Sequence, residues 1–133
     1  MIERIQFELP LPPGVNNQYS TVNGRRVLSP AARRWKKTAL RELAGIFDDA
    51  FSARARTGYL ALFIDFYFET PLRRDLDGGL KIAQDAICEA LQVDDRRVVD
   101  IHLVKRIDPL RPHIAVEIEV LPTWSFDDER RVL

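Results

Sequence analysis

The chain has 133 residues, 46% of them hydrophobic and 30% charged, and its 20 basic and 20 acidic side chains cancel at neutral pH. That length suits one domain able to bury about two-thirds of its unfolded surface, and the composition excludes a disordered chain. No apolar run approaches the ~20 residues of a membrane helix, and Met1-Ile2-Glu3-Arg4 opens no signal-peptide apolar core, so a cytoplasmic protein is expected.

Ile5, Phe7 and Leu9 alternate with Arg4, Gln6 and Glu8, the period of a strand with one buried face. Prolines and Gly14 end it. Val15 to Val27 reads as a loop with one tight turn at Asn23-Gly24. Ser29-Pro30 then starts a helix, with Ser as cap and Pro at the first helical position. Its apolar stripe is Ala32, Trp35, Ala39, Leu43 and Ile46, which leaves Arg33, Arg34, Lys37 and Arg41 toward solvent. Asp48 to Gly58 reads as a connection without regular structure. Tyr59 to Glu69 is the strongest strand and is apolar on both faces, the mark of a central position in a sheet. A second helix is expected from Leu80 to Leu91, then strands over Val98 to Ile107 and His113 to Leu121. The short Asp108 to Pro112 link predicts that these last two pair as a hairpin. The order β-α-β-α-β-β gives an α/β (α+β) fold, a small mixed sheet with two main helices. Cys88, the single cysteine, has no partner for an internal disulfide and lies among Ala86, Ile87 and Ala90, so it reads as a small buried hydrophobe. His102 and His113 sit on strands without a partner at ligand spacing and read as structural.

Chemistry is concentrated between the long strand and the second helix. Asp75 and Asp77, two residues apart where an apolar strand gives way to a helix, can converge on one cation, and Asp95 beyond the helix can complete the set. Hard cations such as Mg²⁺ prefer such oxygen ligands. The plain alternative is that Asp-x-Asp-Gly-Gly is a turn leading into a helix. With a helix from about Gly78, however, Asp77, Lys81 and Asp85 lie about a turn apart on one face, opposite Leu80, Ala83 and Ile87. The basic residues are also segregated: Arg25 to Arg41 carries seven (Arg25, Arg26, Arg33, Arg34, Lys36, Lys37, Arg41) and no acidic one. Phosphate contact requires such a local face, whatever the net charge.

Four pieces in order resemble the RusA family of endodeoxyribonucleases, which resolve Holliday junctions and are often carried by prophages. They are Pro12-Pro13-Gly14-Val15-Asn16-Asn17, Leu28-Ser29-Pro30, Asp75-x-Asp77-x-x-x-Lys81, and Asp94-Asp95 followed by Val98, Val99 and a strand reaching Lys105. The resemblance covers roughly residues 5 to 121, so residues 1–121 are read as the nuclease domain and 122–133 as a C-terminal extension in which Trp124 and Phe126 pack on this chain or a second copy. It implies a Mg²⁺-dependent enzyme, with Mn²⁺ as a substitute, in which Asp75, Asp77, Asp95 and Lys81 are catalytic and the three aspartates hold one or two ions. Asp95 is chosen over Asp94 because the second aspartate of the pair matches the family motif. The partner implied is branched DNA, a four-way junction gripped by Arg33, Arg34, Lys37, Arg73, Arg74, Asn16 and Asn17. A homodimer follows, because two symmetric nicks need two sites related by a two-fold axis. The chain departs from the family in having Gly78 where Asn is usual. That departure motivates one alternative, a catalytically impaired junction-binding protein; another is a metal-dependent phosphoesterase with a different substrate.

Overall fold

A long and strongly apolar strand, buried on one face and half-buried on the other, organises the molecule. The computed structural model describes residues 3–14, 18–72 and 74–125. In chain order they form β1 (Glu3–Pro10), β2 (Tyr19–Val22), β3 (Arg25–Leu28), α1 (Pro30–Ala44), α2 (Asp49–Thr57), β4 (Tyr59–Phe68), α3 (Leu80–Leu91), a 3₁₀ turn (Asp95–Arg97), β5 (Val98–Ile107) and β6 (His113–Leu121). The main sheet has the order β1-β6-β4-β5, and β2 and β3 make a separate hairpin. The fold is α+β. Leu60, Leu62, Ile64, Phe66 and Phe68 of β4 are fully enclosed and share one core with Ala32, Trp35, Ala39 and Leu43 of α1 and with Ile82, Ala83, Ala86, Ile87 and Leu91 of α3. On the opposite face Phe63 stacks on His102 with ring centroids 4.6 Å apart, and Tyr67 stacks on His113 at 4.3 Å. Both histidines are thus held by ring packing within the sheet.

Three expectations are corrected. The last two strands do not pair: β4 lies between them, antiparallel to β6 and parallel to β5. The link after β5 steps across the end of β4, where the Asp108 amide donates to the Phe68 carbonyl at 2.8 Å. A parallel neighbour needs a crossover, and α3 supplies it. Asp48 to Gly58 is mostly helix, capped by the Asp48 side chain accepting from the Phe51 amide, with only Phe51 and Ala55 buried. The Val15 to Val27 loop contains the β2–β3 hairpin, whose turn residues Asn23 and Gly24 both have positive φ, 52° and 74°, as a two-residue turn of this kind requires. The α1 start is as expected: Ser29 Oγ accepts from the Ala32 amide and Pro30 opens the helix. Trp35 Nε1 donates to the Pro10 carbonyl at 2.8 Å, pinning α1 to the end of β1. Among the described residues no helix is long and apolar enough to cross a membrane.

Candidate active site

The crossover from β4 through α3 to β5 sets the geometry. Ligands of open α/β sheets gather beyond the carboxyl ends of the strands, and the segment that leaves that end of β4 carries Asp75 and Asp77. Its turns are closed internally, Gly78 N–H to the Asp75 carbonyl at 3.2 Å and Leu80 N–H to the Asp77 carbonyl at 3.1 Å. No side chain caps α3, whose cap position is Gly79. The first helical amide, Leu80 N–H, is thus taken up by the Asp77 carbonyl, and no side chain caps those of the first turn that follow it.

Along the outer face of α3 runs an open pocket of about 330 Å³ lined by Asp77, Leu80, Lys81, Gln84, Asp85 and Asp95. The helical spacing does bring Asp77, Lys81 and Asp85 to one side. Lys81 Nζ lies 3.8 Å from Asp85 and the side chain is 70% exposed, so the ion pair, worth ~0.3–0.5 kcal/mol, leaves the ammonium free to move. Asp75 is exposed on the preceding turn and does not line this pocket. Asp77 precedes α3 and Asp95 follows it, and a helix of 12 residues advances about 18 Å along its axis. Among the described residues no three of His, Cys, Asp and Glu stand close enough to share one metal ion. All-oxygen donors suit Mg²⁺, which is usually held by one or two carboxylates and otherwise by water and substrate phosphate. The residues fit an ion held in that way, and they do not form a three-carboxylate cage within one chain.

Asp94 and Asp95 are told apart by their partners. The Arg96 guanidinium forks onto Asp94 at 2.8–3.2 Å, and Asp94 Oδ1 also accepts from the Arg96 amide at 2.9 Å, capping the 3₁₀ turn. These bonds hold the Asp94 carboxyl down at about 2. Asp95 lines the pocket and Asp94 does not. Cys88 is buried beneath, its thiol pushed up to about 12 by desolvation and then by the negative charge of Asp95, Asp85 and Asp94.

Of the basic residues, Arg33, Arg34, Lys37 and Arg41 are exposed along α1. Arg33 donates to the Leu28 carbonyl at 2.6 Å, and Lys36 pairs with Glu89 of α3 at 3.3 Å, so the basic helix lies against the helix that carries the acidic pocket. Arg74 is turned inward. Its Nη2 donates to the Pro12 carbonyl at 2.7 Å, its guanidinium carbon sits 5.2 Å from the centre of the Phe68 ring, and burial lowers its pKa. A Cβ at Gly14 would come within 3.3 Å of Arg74 Nε, so the bare glycine makes room for this approach. Sequence reasoning placed Arg74 on DNA and missed this contact, whose acceptor is a main-chain carbonyl that residue identity does not encode. Arg73, Asn16, Asn17 and Phe126 lie outside the described residues. Trp124 sits 5.8 Å from the Tyr59 ring and remains half exposed.

The family described as Endodeoxyribonuclease RusA matches residues 10–119. No curated protein matches the sequence. Among solved structures the chain is similar to a 2C-methyl-D-erythritol 2,4-cyclodiphosphate synthase from Plasmodium vivax, at 12% identity over 90% of this chain and 95% of that one, with a TM-score of 0.37. A likeness that loose carries no argument.

Proposed function

The chain belongs to the RusA endodeoxyribonuclease family, and from that premise we propose that it is a Mg²⁺-dependent, homodimeric endonuclease that resolves four-way DNA junctions by paired symmetric nicks during recombination and repair in the cytoplasm. The observation that carries this reading is the union of Asp77, Lys81 and Asp95 in one pocket on α3, beside the exposed basic face of α1.

In this reading Asp75 and Asp77 offer their carboxylates to the ion from the turn at the end of β4, and Asp95 belongs to the carboxylate set from the far end of the pocket. When bound, Mg²⁺ lowers the pKa of an attacking water and polarises the phosphate. Lys81, on a flexible stem and loosely paired, swings its ammonium to the phosphoryl oxygens as negative charge gathers there. The positive end of the α3 dipole, which no side chain caps, favours the same anionic group. Arg33, Arg34 and Lys37 hold the DNA arms through phosphates, which positions the junction by shape and not by base sequence. Paired cuts on opposing strands require two such sites about a two-fold axis, hence two copies of the chain.

One observation favours a second reading. Gly78 and Gly79 give the start of α3 no side-chain cap, where the family's Asn after the second aspartate would supply a polar group. A junction binder with impaired cleavage fits that loss.

Cleavage of a synthetic mobile four-way junction in Mg²⁺, run beside the Asp77→Asn variant and a linear duplex of the same sequence, separates the two. Paired nicks on the junction alone, reduced at least about 100-fold in the variant, are the expected result, a barrier change of ~2.7 kcal/mol. Binding without cutting by the unaltered protein would move the assignment to the inactive binder, and strong residual cutting by Asp77→Asn would take Asp77 out of the site.

A further inference from the structure

Of the polar side chains buried among the described residues, Gln18, Ser29 and His113, Gln18 is the one that donates to the turn carrying the acidic motif. It is 1% exposed. Its Nε2 donates to the Pro13 carbonyl at 3.0 Å and to the Gly78 carbonyl at 2.7 Å. Its own main-chain carbonyl accepts from Ser29 N–H at 2.8 Å. One residue thus ties the proline loop after β1, the turn that carries Asp75 and Asp77, and the cap of the basic helix.

A carboxamide suits this place because its one nitrogen carries two N–H donors, enough for two carbonyls at once. A carboxylate of the same shape has none, and an apolar side chain would leave both part-buried carbonyls without these bonds. The acidic turn leans on the same short loop in two further ways. Arg74 donates to the Pro12 carbonyl at 2.7 Å. Gly79 packs so closely on Pro12 that an added Cβ would lie 2.7 Å from its ring. The turn's own bonds, Gly78 to Asp75 and Leu80 to Asp77, fix its shape but not where it sits on the molecule.

We propose that Gln18 is a positioning residue for the acidic turn: its buried carboxamide locks Gly78 to the Pro12–Gly14 loop and thereby aims the carboxylates of Asp75 and Asp77. Gln18 touches neither metal nor DNA in this role. Its effect on cutting rests on the endonuclease reading; its effect on the turn does not. Displacements of about 1 Å at a reacting centre are enough to cost rate.

The test is Gln18→Met, which keeps length and volume and removes both donors. Amide exchange at Gly78 and Leu80, followed by NMR, should quicken about tenfold relative to the amides of β4, because a local tether has gone while the core remains. Mn²⁺ binding without DNA should weaken several-fold, and kcat on the four-way junction should fall with KM unchanged. Equal quickening in the turn and in β4 would show a merely structural role and overturn the proposal, as would unchanged exchange at Gly78. Should Gln18→Met fail to fold, the unaltered protein decides: its Gln18 side-chain amide protons should exchange far more slowly than those of an exposed glutamine, and rapid exchange would overturn the proposal. Exchange needs no cleavage, so a junction left intact by the unaltered protein would count against the endonuclease reading and leave the judgement on Gln18 to these amides.

Discussion

Replacing Arg33, Arg34 and Lys37 together by Ala tests whether the basic face of α1 meets phosphate. All three are exposed, on the side of the helix away from Ala32, Trp35, Ala39 and Leu43. Ala is the best helix former, and the one described bond removed is that from Arg33 to the Leu28 carbonyl. The fold should therefore survive with a stability change of ~0.5–1 kcal/mol. Each phosphate contact contributes about 0.9 to the slope of log affinity against log salt on B-form DNA, so losing three takes about 2.7 from the slope. Between roughly 50 and 200 mM salt the affinity gap between the unaltered protein and the variant should then narrow about 40-fold. Binding of a labelled junction, titrated across that range by gel shift or fluorescence anisotropy, measures both slopes. Equal slopes would refute the assignment of these side chains to DNA, whatever happened to affinity at one salt concentration. A weaker variant with an unchanged slope would mean that the loss came from structure.

Three other outcomes follow from the same geometry. Lys81→Ala should cut slowly, about 100-fold or more below the unaltered protein, while Mn²⁺ affinity measured by calorimetry stays nearly the same; lost metal binding would make Lys81 an organiser of the pocket instead. Asp95→Asn should abolish nicking, whereas Asp94→Asn should keep it, because Asp94 is committed to Arg96; the reverse result would exchange their roles. For Cys88, burial raises the folded thiol from its ordinary 9.0 to about 12. The neutral thiol is thus favoured in the fold, and its contribution to stability is complete below pH 9 and declines as pH rises from 9 toward 12. At pH 8 the native protein should resist iodoacetamide and the denatured chain should react; rapid labelling of the native form would refute the burial.

What the sequence disclosed, and what it hid, divides along a physical line. Periodicity and caps are written in residue identity, so the bounds of α3, β5 and β6 and the Ser29-Pro30 start of α1 were legible, as was the shared face of Asp77, Lys81 and Asp85. Helix α2 was not, because Phe51 and Ala55 alone make a stripe too sparse to stand out among charged neighbours. The placement of β4 between β5 and β6 was half legible: apolar residues on both faces require two neighbours, but the five-residue Asp108–Pro112 link argues locally for a hairpin. In the structure β4 takes the central place, paired along both edges. At the site the hidden part is larger. Arg74 reads as a cation beside an aspartate, and Gln18 as one more polar loop residue; both meet main-chain carbonyls of residues 12, 13 and 78, which every residue type carries alike. A motif therefore specifies which carboxylates are present, while the contacts that aim them run through backbone atoms and appear only once the loop and the turn have been brought together by the fold.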